Sequence, residues 1–201
     1  MKLAEALTVR ELGLVPYEKT FEQMRSFTRA RDERTADELW LVEHSPVYTI
    51  GQGAAMRAVA NGIPVVRSDR GGEITYHGPG QVVLYTLVDL ARRGIKVKRF
   101  VWLLEQTVID VLGRGERKPG APGVYVEGAK VAALGIRVSR GRAYHGLSLN
   151  VDMDLAPFSA IDPCGYPGLP VVQTKDLGFS QSPSLMGRDL AKSLAARLED
   201  E

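Results

Sequence analysis

The chain contains very little cysteine: Cys164 is the only one among its 201 residues. One thiol excludes an intrachain disulfide and a zinc site built from several cysteines. A single thiol is also compatible with a reducing compartment. We therefore expect an intracellular protein without a cysteine-rich zinc site, and Cys164 is left as a candidate reactive group.

Long apolar runs are also missing. No stretch reaches the ~18 uninterrupted apolar residues that a membrane-spanning helix needs. The N-terminus carries Glu5 where a secretory signal peptide would need an apolar run. These two absences predict a cytoplasmic protein that does not enter a membrane.

The charges are nearly balanced, since 26 basic and 24 acidic residues leave a formal net charge of +2. So small an excess gives no general attraction to nucleic acid. With 44% hydrophobic and 25% charged residues, the composition excludes a disordered chain, a coiled coil and a collagen-like fibre. The length predicts one domain over residues 1–201, with two small domains as the alternative.

Phosphate-binding loops are absent too. The chain has neither Gly-x-x-x-x-Gly-Lys-Ser/Thr nor a strand followed by Gly-x-Gly-x-x-Gly and a helix, which argues against a nucleotide site of either kind. Several glycines fall instead in the run from Arg70 to Gln81. Such a run is typical of backbone that approaches a ligand closely, and a pair of plain turns is the alternative.

Helices and strands are mixed without regular βαβ alternation. Apolar periodicity predicts helices after Pro16, over Lys98–Leu112 and after Ser182. The predicted strands are Glu38–Val42, Val47–Ile50, Ile63–Arg67, Val82–Leu87, Val124–Val126, Lys130–Val138 and Tyr144–Val151. This pattern predicts an α+β fold with a mostly antiparallel or mixed sheet.

Cys164 is placed where a nucleophile needs to be. Pro163 precedes it and Gly165 follows it, so the thiol stands on a sharp turn without a bulky neighbour on its C-terminal side. Gly165 could also bring a backbone N–H close to a reacting carbonyl. The alternative is a buried, inert cysteine.

Lys130 is the most unusual charged residue, because it opens an apolar strand between Gly128-Ala129 and Val131-Ala132-Ala133. A lysine at the edge of such a run is partly desolvated and can exchange protons near neutral pH. The alternative is a strand-end lysine whose ammonium reaches water.

Two basic segments are candidates for docking an acidic protein partner. Five positive charges fall within eight residues at Arg92, Arg93, Lys96, Lys98 and Arg99, and a second group at a predicted hairpin tip contains Arg137, Arg140 and Arg142. No aromatic residue interleaves with the first segment, so nucleic acid is not the expected partner. A solvated surface is the alternative for both.

Taken together and in order, these segments resemble the octanoyl-acyl carrier protein:protein N-octanoyltransferases of lipoate biosynthesis, also called lipoyl/octanoyl transferases. The segments that carry the resemblance are Glu43–Gly51, Arg70–Gly72 with Thr75–Gln81, Gly128–Gly135, His145–Val151 and Asp162–Gly165. The resemblance runs from about Leu39 to Gly165 and rests on the whole set. Val171–Leu177 departs from the family pattern, with Lys175 where a small polar residue is more usual.

The resemblance implies a fold shared with lipoate- and biotin-protein ligases, with a mixed central sheet flanked by helices and a smaller sheet at the C-terminal side. It implies an acyltransferase that moves an octanoyl group from octanoyl-acyl carrier protein to a lysine of a lipoyl domain. The implied acceptors are lipoyl domains of 2-oxoacid dehydrogenase complexes and the glycine cleavage H protein. No cofactor, ATP or metal is implied.

The resemblance also implies roles for individual residues. Cys164 matches the nucleophile that accepts the acyl group as a thioester, and Lys130 matches the lysine that favours the thiolate and shuttles protons. The substrate-binding walls match Arg70, Gly71, Gly72, Glu73, Ile74, Thr75, Tyr76, His77, Ala133, Leu134, Gly135, Gly146, Leu147 and Ser148.

Three other functions remain open on the residues alone. An ATP-dependent lipoate- or biotin-protein ligase would share the fold but would need no cysteine, so the Pro163-Cys164-Gly165 turn argues against it. A non-catalytic module that binds an acyl or lipoyl group is the second alternative. A cysteine hydrolase is the third, and it would need a base that activates water.

Overall fold

The computed structural model describes residues 7–56, 59–161 and 168–201. The strands β1 to β10 are Leu7–Val15, Asp37–His44, Val47–Ile50, Val65–Arg67, Ile74–His77, Gln81–Asp89, Glu116–Lys118, Ala121–Val126, Ala129–Ser139 and Arg142–Asn150. The helices α1 to α4 are Tyr17–Ala30, Leu90–Arg93, Val97–Leu112 and Pro183–Glu199. Short 3-10 helices cover Ala156–Ala160 and Thr174–Leu177.

A seven-stranded mixed sheet runs through the molecule in the order β1-β2-β6-β10-β9-β8-β7. β1 pairs with β2 in parallel, and the other neighbours are antiparallel. All nine residues of β6 are buried. Its alternate side chains, such as Leu84 and Tyr85, enter two different apolar cores, because successive residues of a strand point to opposite faces.

Helices α3 and α4 cover one face of this sheet and form the larger core with it. Phe100 and Leu104 of α3 and Leu190 of α4 are fully buried there. α3 ends at Gly113, whose φ of 64° suits a glycine, and α4 begins after Ser182, whose hydroxyl accepts a hydrogen bond from the Leu185 N–H. No helix in the described part of the chain is long and apolar enough to cross a membrane.

The opposite face of the sheet is covered by α1 and by a second, three-stranded sheet. Met24 of α1 packs against Trp40 and Tyr85 of the central sheet. The small sheet has the order β4-β3-β5 and a core of its own, in which Tyr48 and Phe158 are buried. The molecule therefore has a helical layer, a central sheet, and a third layer that combines a helix with a small sheet.

Two tight hairpins build one half of the central sheet. β8 turns into β9 through Glu127 and Gly128, with φ of 51° and 82°, and β9 turns into β10 through Arg140 and Gly141, with φ of 50° and 79°. Two consecutive positive φ values characterise the type I′ turn, whose twist matches that of paired strands. The three strands predicted from Val124 to Val151 therefore form an antiparallel meander.

The predicted fold class is confirmed, but the predicted position of the smaller sheet is wrong. Its three strands lie between Val47 and His77, in the first half of the chain rather than at the C-terminal side. After Asn150 the chain is interrupted by prolines, which lack the N–H that a strand ladder needs. The described residues of that part of the chain, 151–161 and 168–201, form 3-10 turns and α4 instead.

Candidate functional site

A cavity that opens to solvent lies between the central sheet and the small sheet, with about 480 Å³ of empty space including that at its mouth. Its floor consists of two rows of residues that are paired across three strands. The rows are Tyr85–Gly146–Gly135 and Val83–Ser148–Ala133. Residues that are directly opposite in a ladder share one face, so the two glycines open a space over the sheet that the neighbouring side chains enclose.

The glycine-rich run forms the wall above β9. The Gly71 N–H donates a hydrogen bond of 2.9 Å to the carbonyl of Ile136. A Cβ on Gly135 would lie only 3.0 Å from the Gly71 oxygen and 3.1 Å from Cδ of Arg70. Glycine at position 135 is therefore what lets the run approach the strand this closely.

Arg70 holds this wall in place from inside. Its guanidinium donates to the carbonyls of Thr49 at 2.6 Å, Glu73 at 2.7 Å and Gly71 at 2.9 Å. Each of these backbone oxygens is thereby satisfied in a buried setting. The side chain that the sequence predicts as substrate-binding thus lines the cavity and also shapes the loop that encloses it.

Most of the predicted wall residues meet at this cavity. Those that line it are Arg70, Gly72, Glu73, Ile74, Thr75, His77, Ala133, Leu134, Gly135, Gly146, Leu147 and Ser148. The other two do not line it: Gly71 lines an adjoining groove, and Tyr76 packs its ring against Tyr48 and Phe158. Tyr76 lies on the opposite face of β5 from Thr75 and His77, as alternation in a strand requires.

Four residues that line the cavity were not predicted: Tyr17, Val83, Tyr85 and His145. Val83 and Tyr85 belong to β6, whose apolar run indicates a central strand but not which face borders a site. Tyr17 begins α1 and donates a hydrogen bond of 2.7 Å to Ser68. Burial raises the pKa of Tyr17 to about 12, so the phenol stays neutral.

Two buried histidines at the site are held in the neutral form. Burial lowers the pKa of His77 to about 3 and that of His44 to about 4. His44 Nδ1 lies 2.9 Å from the carbonyl of Val15 and therefore donates, which leaves Nε2 to accept from the Tyr85 hydroxyl at 2.6 Å. His77 Nδ1 donates to Oε1 of Gln81 at 2.7 Å.

His145 is held in an unusual backbone conformation. Its φ of 61° lies in the left-handed region, where a residue other than glycine costs about 1–3 kcal/mol. Its Nε2 lies 2.8 Å from Oδ1 of Asp69, whose Oδ2 accepts from the Tyr144 hydroxyl at 2.6 Å. Burial lowers the pKa of His145 even though Asp69 opposes the shift.

Lys130 is buried at the start of β9, with 3% of its surface exposed. Its Nζ lies 5.4 Å from the centre of the Tyr125 ring, within the range of a cation–π contact. The side chain crosses Gly123, where a Cβ would overlap Cε of Lys130. Strand β8 can therefore accommodate the Lys130 side chain only because position 123 is a glycine.

The surroundings of Lys130 are continuous with the cavity. It lines a pocket of about 270 Å³ together with Thr75, Ala133 and Ser148, three residues that also line the cavity. It lines the adjoining groove of about 930 Å³ as well. The structure thus places Lys130 next to the end of the cavity floor.

Cys164 and its turn lie outside the described residues, but the chain before them is packed in a core and the chain after them is bound to Lys130. Ile161 is buried in the core of the small sheet. On the other side, the Lys130 N–H donates to the Pro170 carbonyl at 2.8 Å, and the Val172 N–H donates to the Lys130 carbonyl at 3.0 Å. Asn150 Nδ2 also donates to the Val172 carbonyl at 3.1 Å.

Possible metal ligands do not cluster in the part of the chain that is described. Among residues 7–56, 59–161 and 168–201, no group of three His, Cys, Asp or Glu side chains could hold a metal ion. Polar groups of the smaller pocket beside Lys130 bind one another instead, as Gln81 shows by donating to Oδ1 of Asn150 at 2.9 Å.

Comparisons with known proteins agree on one family. A sequence-family profile described as the lipoyl protein ligase A/B catalytic domain matches residues 16–178. An octanoyltransferase of Aromatoleum aromaticum is 58% identical over 94% of this chain and 84% of its own length. One of Thiobacillus denitrificans is 56% identical over 94% of this chain and 89% of its own length.

Solved structures with low sequence identity show the same fold. A bipartite lipoate protein ligase of Thermoplasma acidophilum superposes with a TM-score of 0.69 at 16% identity, over 98% of this chain and 92% of the other. A biotin protein ligase of Aquifex aeolicus gives a TM-score of 0.58 at 11% identity, over 98% and 70%.

Proposed function

The chain belongs to the lipoyl protein ligase A/B catalytic-domain family and transfers octanoyl groups in lipoate biosynthesis, and we propose that it does so through a thioester on Cys164. In this proposal the donor is octanoyl-acyl carrier protein. The acceptor is a lysine of a lipoyl domain, in 2-oxoacid dehydrogenase complexes and in the glycine cleavage H protein. The reaction takes place in the cytoplasm.

The proposed reaction has two steps. The Cys164 thiolate attacks the carbonyl of the donor thioester, the bond to the carrier sulfur breaks, and the carrier leaves as a thiol after taking up a proton. The amine of the acceptor lysine then attacks the new thioester, forms an amide and releases the Cys164 thiolate. Lys130 exchanges the protons in both steps. Neither step needs ATP, because the first exchanges one thioester for another and the second converts a thioester into a more stable amide.

The burial of Lys130 beside the cavity is the observation that carries this proposal. An ammonium group that is 3% exposed stabilises a nearby anion more strongly than one in water does, because the local dielectric constant is lower. Its backbone binds Pro170 and Val172, close in sequence to Cys164. These contacts support a cysteine–lysine pair at one end of the cavity.

The cavity suits an octanoyl chain. Its floor contains glycine, alanine and valine, and His44 and His77 are neutral at physiological pH because burial lowers the pKa of each. Seven methylene and methyl groups follow the octanoyl carbonyl, and at ~0.8 kcal/mol each their burial contributes roughly 5 kcal/mol. We propose that the predicted wall residues that line the cavity bind this chain.

Intact-mass spectrometry tests the covalent intermediate. We expect the enzyme mixed with octanoyl-carrier protein, without ATP, to gain one octanoyl group on the peptide that contains Cys164. Cys164→Ala should gain none and should not modify a lipoyl domain. An adduct on another residue, or full turnover by Cys164→Ala, would contradict the mechanism.

Alkylation kinetics test the pairing with Lys130, since Cys164 is the only thiol. We expect Lys130→Met to slow alkylation at neutral pH and to lower turnover by ~100- to 10,000-fold. Lys118→Met is a matched control, because the Lys118 Nζ lies 4.3 Å from the centre of the same Tyr125 ring. Lys130→Arg should not restore turnover, because arginine does not release its proton. Unchanged alkylation in Lys130→Met would refute the pairing.

A further inference from the structure

A second, strongly basic groove lies between α1 and the β9–β10 hairpin. It is open to solvent, with about 980 Å³ of space between and in front of its walls, and its charged walls are Arg25, Arg29, Arg137, Arg140, Arg142 and Asp69. Arg25 and Arg29 are one helical turn apart and so project from one face of α1. With a formal net charge of only +2 on the whole chain, five arginines beside one aspartate are a local concentration of positive charge.

Arg25 and Arg142 pair with Asp69 and Asp89, but the charge of the other three arginines is uncompensated among the described residues. Arg140 forms no hydrogen bond or ion pair with the described residues, and Arg29 donates only to the neutral Ser26 hydroxyl among them. Arg137 donates to the Gln52 amide oxygen at 2.7 Å, which is also neutral. The groove therefore presents cationic groups that an anionic surface could bind.

The other basic segment is largely engaged within the molecule. Arg92 and Arg93 donate to the Asp37 carboxylate at 2.9 and 2.6 Å, and Arg99 pairs with Glu201. Such pairs leave less charge for a partner. Of the two basic segments found in the sequence, the hairpin group is thus the better candidate for docking.

The groove and the cavity share a wall. Tyr144 and Asp69 line the groove, and His145 lines the cavity. The Asp69 carboxylate binds the side chains of both Tyr144 and His145. Arg137 directly follows Ile136, whose carbonyl binds Gly71 of the glycine-rich run. A partner seated in the groove is therefore next to the acyl cavity.

We propose that this groove docks the acidic carrier protein that presents the octanoyl thioester, an inference that rests on the donor proposed above. Acidic side chains of the carrier would pair with the arginines and speed the encounter. β9 leads from Arg137 to Lys130 over seven residues, which is ~23 Å at ~3.3 Å per residue. That span suits a donor whose acyl group stands on a long arm rather than directly on the protein surface.

A charge-reversal pair tests this docking. Arg29→Glu with Arg140→Asp changes two residues that make no ion pair, and an aspartate tolerates the left-handed φ at position 140. The matched control is Lys96→Glu with Lys98→Glu, which makes the same change of charge outside the groove. The measurement is single-turnover acylation of Cys164 by octanoyl-carrier protein and by neutral octanoyl-pantetheine, at low and high salt.

We expect the groove variant to react about 10-fold or more slowly with the carrier at low salt, to lose most of the salt dependence of that rate, and to react normally with octanoyl-pantetheine. The control should keep the parent rate with both donors. Equal losses in the groove variant and the control, or equal losses with both donors, would overturn the docking.

The two half-reactions separate the carrier from the acceptor. If the variant is acylated normally but passes the octanoyl group slowly to a lipoyl domain, the groove serves the acceptor and the inference is wrong. The donor itself is tested on the parent enzyme alone. If octanoyl-carrier protein does not acylate the parent enzyme while octanoyl-pantetheine does, the proposed donor is wrong and the proposed docking is wrong as well.

Discussion

His44 and His77 lie behind the cavity as neutral donors and acceptors. The Tyr85 hydroxyl binds His44, and the Gln81 amide binds His77. A proton on either ring would place a charge in a buried site, and on His44 it would also break the hydrogen bond that Nε2 accepts from the Tyr85 hydroxyl. The folded state therefore binds protons only when the pH is well below the ordinary histidine range.

Stability should therefore fall as the pH drops from about 6.5. The unfolded histidines take up protons near pH 6.5, but burial lowers the folded pKa of His44 to about 4 and of His77 to about 3. In between, the free energy of unfolding decreases with falling pH by about 1.4 kcal/mol per unit for each histidine, or about 2 kcal/mol each at pH 5.

Urea denaturation at pH 7 and pH 5 measures this loss. His44→Gln removes one titrating group and keeps an amide that can donate to the Val15 carbonyl, so it should reduce the difference between the two pH values by about 2 kcal/mol, the share of one histidine. His77 and His145 keep the remainder, because burial lowers the pKa of each. Asp37 and Asp69 do not interfere, because the pKa of each lies below its usual value despite burial. An unchanged pH dependence in His44→Gln would contradict this account.

Strands β6, β9 and β10 set the size of the cavity, because their paired residues form its floor. Ala133 and Val83 belong to the same row, on opposite sides of Ser148. Changing either one alters the space above the sheet without touching the glycine-rich wall. A larger side chain at position 133 should therefore shorten the acyl chain that fits, and a smaller one at position 83 should lengthen it.

We expect Ala133→Leu to shift the preferred donor from octanoyl towards shorter acyl thioesters. Three added carbons displace about three methylenes, and the loss of their burial costs roughly 2 kcal/mol. Val83→Ala should shift the preference towards longer chains. The measurement is kcat/KM with pantetheine thioesters of increasing length. If both variants keep the chain-length preference of the parent enzyme, the acyl chain does not bind over these two residues.

Elements with a strong pattern of apolar residues could be predicted from the sequence. Elements stabilised only by backbone hydrogen bonds to a neighbouring strand could not. β6, α3 and α4 carry continuous or periodic apolar residues, and each was predicted. β1 was missed because Leu7–Val15 contains charged residues and a glycine, and it is largely exposed at the sheet edge. Its parallel hydrogen bonds with β2 leave no pattern in the side chains.

Similar limits apply to the candidate site. The family-like motifs contain most of the cavity lining, because the glycines and small residues that allow close approach are distinctive. Val83 and Tyr85 alternate with core residues in a fully buried strand, so no contrast between polar and apolar positions marks their face. Tyr17 reaches the site only because α1 packs across the sheet.

At the scale of the whole molecule, Asp37 joins segments that are far apart in the chain. Its carboxylate accepts from Arg31 at 2.5 Å, where α1 ends, and from Arg92 and Arg93 of α2 at 2.9 and 2.6 Å. Arg93 also donates to the Leu198 carbonyl of α4 at 3.0 Å. We propose that residues 1–201 unfold as one cooperative domain held together at this point.

Asp37→Asn should lower the free energy of unfolding by about 3–5 kcal/mol, because it leaves buried guanidinium groups without their counter-charge. Asp110→Asn is the control: its carboxylate pairs with Arg197 at a partly exposed position, so its loss should cost less than about 1 kcal/mol. Denaturation followed by fluorescence and by circular dichroism should coincide. Two separate transitions would contradict a single domain.

The cavity floor combines two strands that are adjacent in the sequence, β9 and β10, with one that is distant in the sequence, β6. β9 and β10 are connected by a two-residue turn, whereas β6 meets β10 through contacts such as Thr86 with His145, which are 59 positions apart. Closing that long loop costs more entropy than forming the hairpin, so we expect the hairpin to form early and β6 to pair late. An acyl ligand binds only the finished floor, and it therefore slows unfolding but has nothing to bind while the chain folds.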